Sequence, residues 1–74
     1  MTVGETLKYL RTKRNESQQH VADNLQITRQ ALTNYENDRR EPDIKTLVKL
    51  ADYYMVSIDM LVGRIQFQDI SKAV

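Results

Sequence analysis

The chain of 74 residues has no cysteine, one histidine, two glycines and one proline. Without cysteine there are no disulfides and none of the usual thiolate metal sites, which fits a reducing cytoplasm. One histidine and no cysteine give neither a metal-ligand cluster nor a readable Ser/His/Asp arrangement. Two glycines are too few for a loop that cradles phosphate groups. No apolar run approaches the length of a membrane span, and the N-terminus lacks the apolar core of a signal peptide. The expectation is therefore a cytoplasmic protein that is not an enzyme, binds no cofactor or metal, and does not engage a membrane.

Also missing is a strong charge of one sign. Eleven Lys/Arg against ten Asp/Glu leave a formal net charge of +1, a weak electrostatic footprint for a nucleic-acid binder. The charge is unevenly spread, however. Residues 1–40 carry seven basic residues (Lys8, Arg11, Lys13, Arg14, Arg29, Arg39, Arg40) against five acidic ones, and residues 41–74 carry four against five. At this length the chain is one domain, close to the lower limit for a self-sufficient core.

What is present concentrates between Ser17 and Pro42, SQQHVADNLQITRQALTNYENDRREP. Ser17 is a natural N-cap, and Val21, Ala22 and Leu25 recur at helical spacing after it. The pattern breaks at Gln26-Ile27, and Thr28 is placed to cap a second helix. That helix is expected to bury Ala31, Leu32 and Tyr35 and to turn Arg29, Gln30, Thr33 and Asn34 outward. Two helices this short must pack on each other and on neighbours. An outward row of Arg, Gln and Asn is what a reader of the DNA major groove requires, because these side chains match the donors and acceptors of base edges.

Around this motif the spacing predicts three further helices, giving an all-α, five-helix bundle. Thr2 and Glu5 form a capping box for the first helix, with Val3, Leu7 and Leu10 on one face. Lys13 and Arg14 complement its dipole, and Asn15 suits a left-handed cap. Pro42-Asp43 ends the loop and caps a fourth helix, whose buried stripe is expected at Ile44, Leu47, Leu50, Ala51 and Tyr54. Ser57 caps a short fifth helix closed by Gly63, with Ile58 and Leu61 buried beside Val56 and Met60 exposed. His20 is expected on the outer face of the second helix as a solvated or phosphate-proximal side chain.

The whole pattern resembles the Cro/phage-repressor (Xre-type) helix-turn-helix family, the lambda-repressor-like DNA-binding fold. The resemblance rests on Leu10-Arg11, Arg14, Ser17-Gln18, Val21-Ala22, Leu25, Ile27-Thr28-Arg29-Gln30 and Asn34-Tyr35-Glu36-Asn37. It continues through Arg40-Glu41-Pro42-Asp43, Thr46-Leu47, Lys49-Leu50-Ala51, Val56-Ser57-Ile58-Asp59 and Leu61 to Gly63, covering about residues 5–64. It implies that Arg29, Gln30, Thr33 and Asn34 face base edges. Arg can chelate guanine O6 and N7, and Gln can pair with adenine N6 and N7. Phosphate contacts are expected from Gln18, Thr28, Asn37, Arg14, Arg39 and Arg40, with an ordinary charged loop as the other reading of Arg39 and Arg40. The resemblance also places Arg11 and Glu36 as a structural pair, and Ala22 as a small residue that lets the two motif helices approach.

Three positions depart from the common pattern of that family: Gln26 and Asp38 stand where Gly is usual, and Met55 where Asn or Gly is usual. If those positions need positive φ, Gln26 and Met55 each carry roughly 1 kcal/mol of strain, and Asp38 less. Glu16 replaces an often apolar residue.

The expected organisation is a helix-turn-helix domain over residues 1–63 and a tail over residues 64–74. Ile65, Phe67, Ile70 and Val74 make the tail apolar, which suits either self-association, together with Met60, or a loosely packed terminus. The expected partners are double-stranded DNA and a second copy of the chain, on a roughly palindromic operator whose half-sites lie about 34–36 Å apart. With no second domain in the sequence, a regulatory signal is expected to arrive through a protein antagonist or through concentration. The favoured function is a repressor of phage or mobile-element type. The alternative is an antitoxin or another protein-interaction module on the same fold.

Overall fold

The computed structural model describes residues 1–63, so the expected roles of residues 64–74 lie outside the described residues. Among the described residues the secondary structure is five helices: α1 Val3–Lys13, α2 Gln18–Leu25, α3 Arg29–Glu36, α4 Ile44–Tyr54 and α5 Ile58–Leu61. Each begins at a residue whose side-chain oxygen accepts from an otherwise orphaned backbone amide. These caps are Thr2, Ser17, Thr28, Asp43 and Ser57. At Thr2 the capping box is complete, because Glu5 Oε1 accepts from the Thr2 amide at 2.9 Å in return.

The helices also end alike. Asn15, Gln26, Asp38 and Met55 adopt φ between 56° and 58°, and Gly63 has φ 82°. After each of the first four, the next amide reaches back to a carbonyl five residues earlier, as Ile27 N does to Ala22 O at 3.0 Å and Val56 N to Ala51 O at 3.0 Å. This left-handed closure satisfies the last carbonyls and reverses the chain within two or three residues. The strain foreseen for Gln26, Asp38 and Met55 is therefore present.

Leu7, Val21, Ala22, Leu32, Leu50 and Leu61 are fully enclosed, with Leu25, Ala51 and Tyr54 around them. Leu47, Leu10, Val3, Tyr35, Ile27 and Val56 pack against this core while staying half-buried. Ala22 of α2 has no exposure at all, and α2 packs against α3. A larger residue at such a fully buried position overpacks the core.

The amphipathic readings fail at helix ends. Ile44, expected in the core, is exposed, because it is the first residue of α4 and no described element packs over that edge of the first turn. Ile58 is exposed as well, whereas Met60, expected outside, is buried with Leu61. A helix of one turn is too short for periodicity to fix its phase. Ala31 and Tyr35 are half-buried instead of enclosed.

Candidate nucleic-acid interface

The α2–turn–α3 unit is held from behind by a polar network that sequence reasoning saw only in part. Arg11 Nε donates to Glu36 Oε2 at 2.7 Å and Arg11 Nη2 donates to Glu36 Oε1 at 3.0 Å, a two-pronged pair between α1 and the last residue of α3. Only 1% of the Glu36 side chain and 13% of the Arg11 side chain remain exposed. The Glu36 hydrogen bond raises the Arg11 pKa above its ordinary value, against the opposing effect of burial. The third arm of the guanidinium, Nη1, donates to the Glu16 carbonyl at 2.9 Å and so ties in the α1–α2 connection. Fork-to-fork geometry of this kind fixes orientation as well as distance.

Gln18 extends the network to the second helix. Its Nε2 donates to Glu36 Oε1 at 3.0 Å, and its Oε1 faces the Thr33 hydroxyl at 3.1 Å. The Thr33 hydroxyl also lies 3.0 Å from the Arg29 carbonyl, so its single proton serves one acceptor at a time. The side chains of Gln18 and Thr33, expected respectively at phosphate and at bases, thus meet each other between α2 and α3.

The other candidates spread over distinct places. Arg29 and Gln30 are exposed at the first turn of α3. Gln30 Nε2 donates to Asn34 Oδ1 at 3.3 Å, which aligns both amides along one helix face. Thr28 accepts from the Ala31 amide at 3.0 Å and keeps its own hydroxyl proton for another acceptor. Asn37, Arg39 and Arg40 are exposed in the loop after α3. Arg14 is held elsewhere: its Nη1 donates to the Tyr53 carbonyl at 2.9 Å, and its guanidinium lies over the Tyr53 ring at 4.8 Å and the Tyr54 ring at 5.6 Å. That cation sits at the C-terminal end of α4, where it complements the helix dipole.

Glu16 is likewise absorbed by the scaffold. Its Oε2 accepts from the Tyr53 hydroxyl at 2.6 Å and approaches His20 Nε2 at 3.4 Å, while Oε1 lies 3.5 Å from Arg14 Nε. Burial pushes the Tyr53 phenol up, and the hydrogen bond to Glu16 adds to it. The carboxylate that replaces an apolar residue is thus embedded in a polar corner. No group of three or more His, Cys, Asp or Glu side chains able to hold a metal ion occurs among the described residues. No helix there is long and apolar enough to cross a membrane.

The helix-turn-helix family model matches residues 7–61, most of the chain. The chain belongs to the helix-turn-helix family. It is 44% identical over 64 residues to the HTH-type transcriptional regulator ImmR of Bacillus subtilis, covering 86% of this chain and 50% of that protein. It is 52% identical over 58 residues to an SPbeta prophage-derived HTH-type transcriptional regulator of the same organism, YonR, covering 78% and 54%. A crystal structure of a transcriptional regulator from Listeria innocua superposes with a TM-score of 0.80 at 30% identity, covering 97% of this chain and 69% of that one. This helix-turn-helix chain spans about half the length of the two Bacillus relatives.

Proposed function

We propose that this helix-turn-helix protein is a sequence-specific DNA-binding transcriptional regulator, a repressor of phage or mobile-element type that acts by occupying promoter DNA. One observation carries the reading: exposed Arg29 and Gln30 and half-buried Asn34 lie on a helix whose far end is clamped by the buried Arg11–Glu36–Gln18 network. A reading helix must hold its side chains at fixed distance from base edges, and rigid backing of this kind supplies that. An immunity repressor of Bacillus phage phi105, 32% identical over 63 residues, supports the phage-type assignment.

On DNA, α3 enters the major groove with its N-terminal turn leading. Arg29 pairs with guanine O6 and N7, and Gln30 with adenine N6 and N7. Asn34, one turn along, reaches a third base, and Thr33 lies beside it. Thr28, Asn37, Arg39 and Arg40 contact phosphate, as do the free backbone amides at the α2 N-terminus, where the Gln18 side chain steadies Thr33. With four to six phosphates neutralised, affinity falls with salt at a log–log slope of about −4 to −5. A homodimer on a pseudo-palindromic operator doubles these contacts and offsets the low net charge.

The test is selection of bound genomic fragments at fixed salt, with wild type and with Arg29→Ala/Gln30→Ala. A palindromic site lost in the double variant supports the reading. No enrichment by the wild type overturns it and directs the search to a protein partner.

A further inference from the structure

We propose that Thr33 meets DNA as a hydrogen-bond acceptor only, and so favours adenine or cytosine over guanine or thymine at one position of each half-site. Gln18 and Glu36 impose this polarity as positioning residues. The role of Thr33 rests on the proposed reading, with α3 in the major groove, and adds to it the chemistry of one base position.

The chain of hydrogen bonds begins at Glu36, whose carboxylate can only accept. Arg11 donates to both of its oxygens, and Gln18 Nε2 stands 3.0 Å from Oε1. With the amide reversed, Gln18 Oε1 would face that oxygen with no proton between them. The Glu36 side chain is buried, so water does little to relieve such a contact. The Gln18 amide is therefore fixed, nitrogen to Glu36 and oxygen to Thr33.

Thr33 then faces two acceptors. Gln18 Oε1 lies 3.1 Å and the Arg29 carbonyl 3.0 Å from its hydroxyl oxygen. A hydroxyl carries one proton and two lone pairs. Pointed at either neighbour, the proton converts one close oxygen pair into a hydrogen bond. Turned outward, it leaves the hydroxyl oxygen against both neighbours with no hydrogen in either contact. The proton therefore stays inside the protein, and half-buried Thr33 offers DNA its lone pairs.

A threonine free to rotate pairs with base donors and acceptors alike. One whose proton is committed does not. Where adenine shows its N6 amino group and cytosine its N4 amino group in the major groove, thymine shows O4 and guanine O6. The Thr33 lone pairs accept from the two amino groups and are repelled by the two oxygens. Phosphate offers only acceptor oxygens and is an equally poor partner. The bonding inside the protein thus assigns Thr33 to a base, and to the amino-bearing member of the pair.

The experiment titrates the full chain, at one salt concentration, against the selected site with each of the four base pairs placed at every position in turn. Wild type is expected to show one position per half-site where adenine and cytosine on one strand bind about five- to tenfold more tightly than guanine and thymine. Thr33→Val keeps the shape, loses the hydroxyl and brings that ratio to within about twofold of one, whereas Thr33→Ser keeps it. Gln18→Met removes one inward acceptor, lets the proton turn outward at less cost and lowers the ratio by about twofold or more. Circular dichroism confirms that each variant is folded, and if Gln18→Met is not, the two Thr33 variants decide. A wild type that selects DNA without this step, or a step that survives Thr33→Val, overturns the proposal and leaves the DNA reading standing. So does a Thr33→Val effect that is equal on every duplex, since Thr33 then meets phosphate. A folded Gln18→Met chain with the wild-type ratio overturns the positioning role. A wild type that selects no DNA overturns both readings, so the two failures are distinct.

Discussion

The Asp38 carboxylate accepts from the Gly4 amide at 2.9 Å, so the residue that closes α3 also caps the start of α1 across 34 positions of sequence. The other oxygen accepts from the Thr2 hydroxyl at 2.6 Å. The contact is possible because Gly4 lies against the end of α3. A Cβ there would stand 2.6 Å from the carbonyl oxygens of Tyr35 and Glu36 and 2.7 Å from the Asp38 carboxylate. Two of those three are backbone atoms and cannot rotate away. Gly4→Ala, favourable by helix propensity alone, is therefore expected to destabilise the fold by about 2–3 kcal/mol through overpacking. Urea unfolding checks it, and a gain in stability would sink the assignment.

The strained turns make the opposite prediction. Gln26 closes α2 at φ 58° with its side chain exposed. Gln26→Gly removes the left-handed penalty and returns part of the gain as added freedom of the unfolded chain. The net expectation is a stabilisation of about 0.5–1 kcal/mol, seen as a higher melting temperature with an unchanged helical spectrum. An unchanged or lower melting temperature would show that the Gln26 side chain contributes to the turn.

Glu36 is the shared acceptor for Arg11 and Gln18, and its removal leaves a guanidinium largely buried without its partner. Glu36→Ala is expected to cost about 3–5 kcal/mol, although the intact pair itself adds little because desolvation offsets attraction. The apolar double replacement Arg11→Met/Glu36→Leu should therefore recover most of that stability, yet bind DNA less well because α3 loses its orientation. Because the folded Arg11 pKa is raised, its contribution is fully present below the ordinary guanidinium value and is lost only as pH rises through the folded one. The comparison at neutral pH thus needs no correction for its titration.

At the acid end the informative group is Asp43. Its hydrogen bonds from the Thr46 side chain and amide hold the carboxyl below its ordinary value of 3.8. A lowered folded pKa gives stability that is present above the unfolded value and fades as pH falls through the folded one. Wild type should therefore exceed Asp43→Asn in melting temperature at neutral pH, and the difference should shrink once pH drops below about 3.8. A difference that stays constant from neutral to strongly acid conditions would show that the charge on Asp43 plays no part in the cap.

These outcomes separate what the sequence makes legible from what it hides. The capping residues Thr2, Ser17, Thr28, Asp43 and Ser57 were readable because a cap is a local event, decided within three or four residues. The turns at Gln26, Asp38 and Met55 were readable as departures from a family pattern, not from the residues themselves. Ile44 and Ile58 were misplaced because periodicity says which face is apolar but not which neighbours reach its ends. Asp38 on Gly4, Gln18 on Thr33 and Arg14 on the tyrosines were invisible, since each joins positions brought together only by the fold. Gly4 alone gave a signal: a glycine inside a helix hints at a close approach.

The division of labour on DNA yields the remaining prediction. Arg39 and Arg40 are exposed in the loop beyond α3, and Arg29 is exposed at the opposite end of that helix. Phosphates are the same at every base pair, so a side chain that meets phosphate alters affinity without altering preference. Arg39→Ala/Arg40→Ala is expected to weaken binding uniformly across sites and make the salt slope shallower by about 1–2. Arg29→Ala instead relaxes preference at one position of each half-site by about 1–3 kcal/mol and changes the slope far less. Titrating one selected site and its single-base variants at two salt concentrations measures both quantities at once. If the loop variant changed base preference and Arg29→Ala did not, the reading surface would lie in the loop and not on α3.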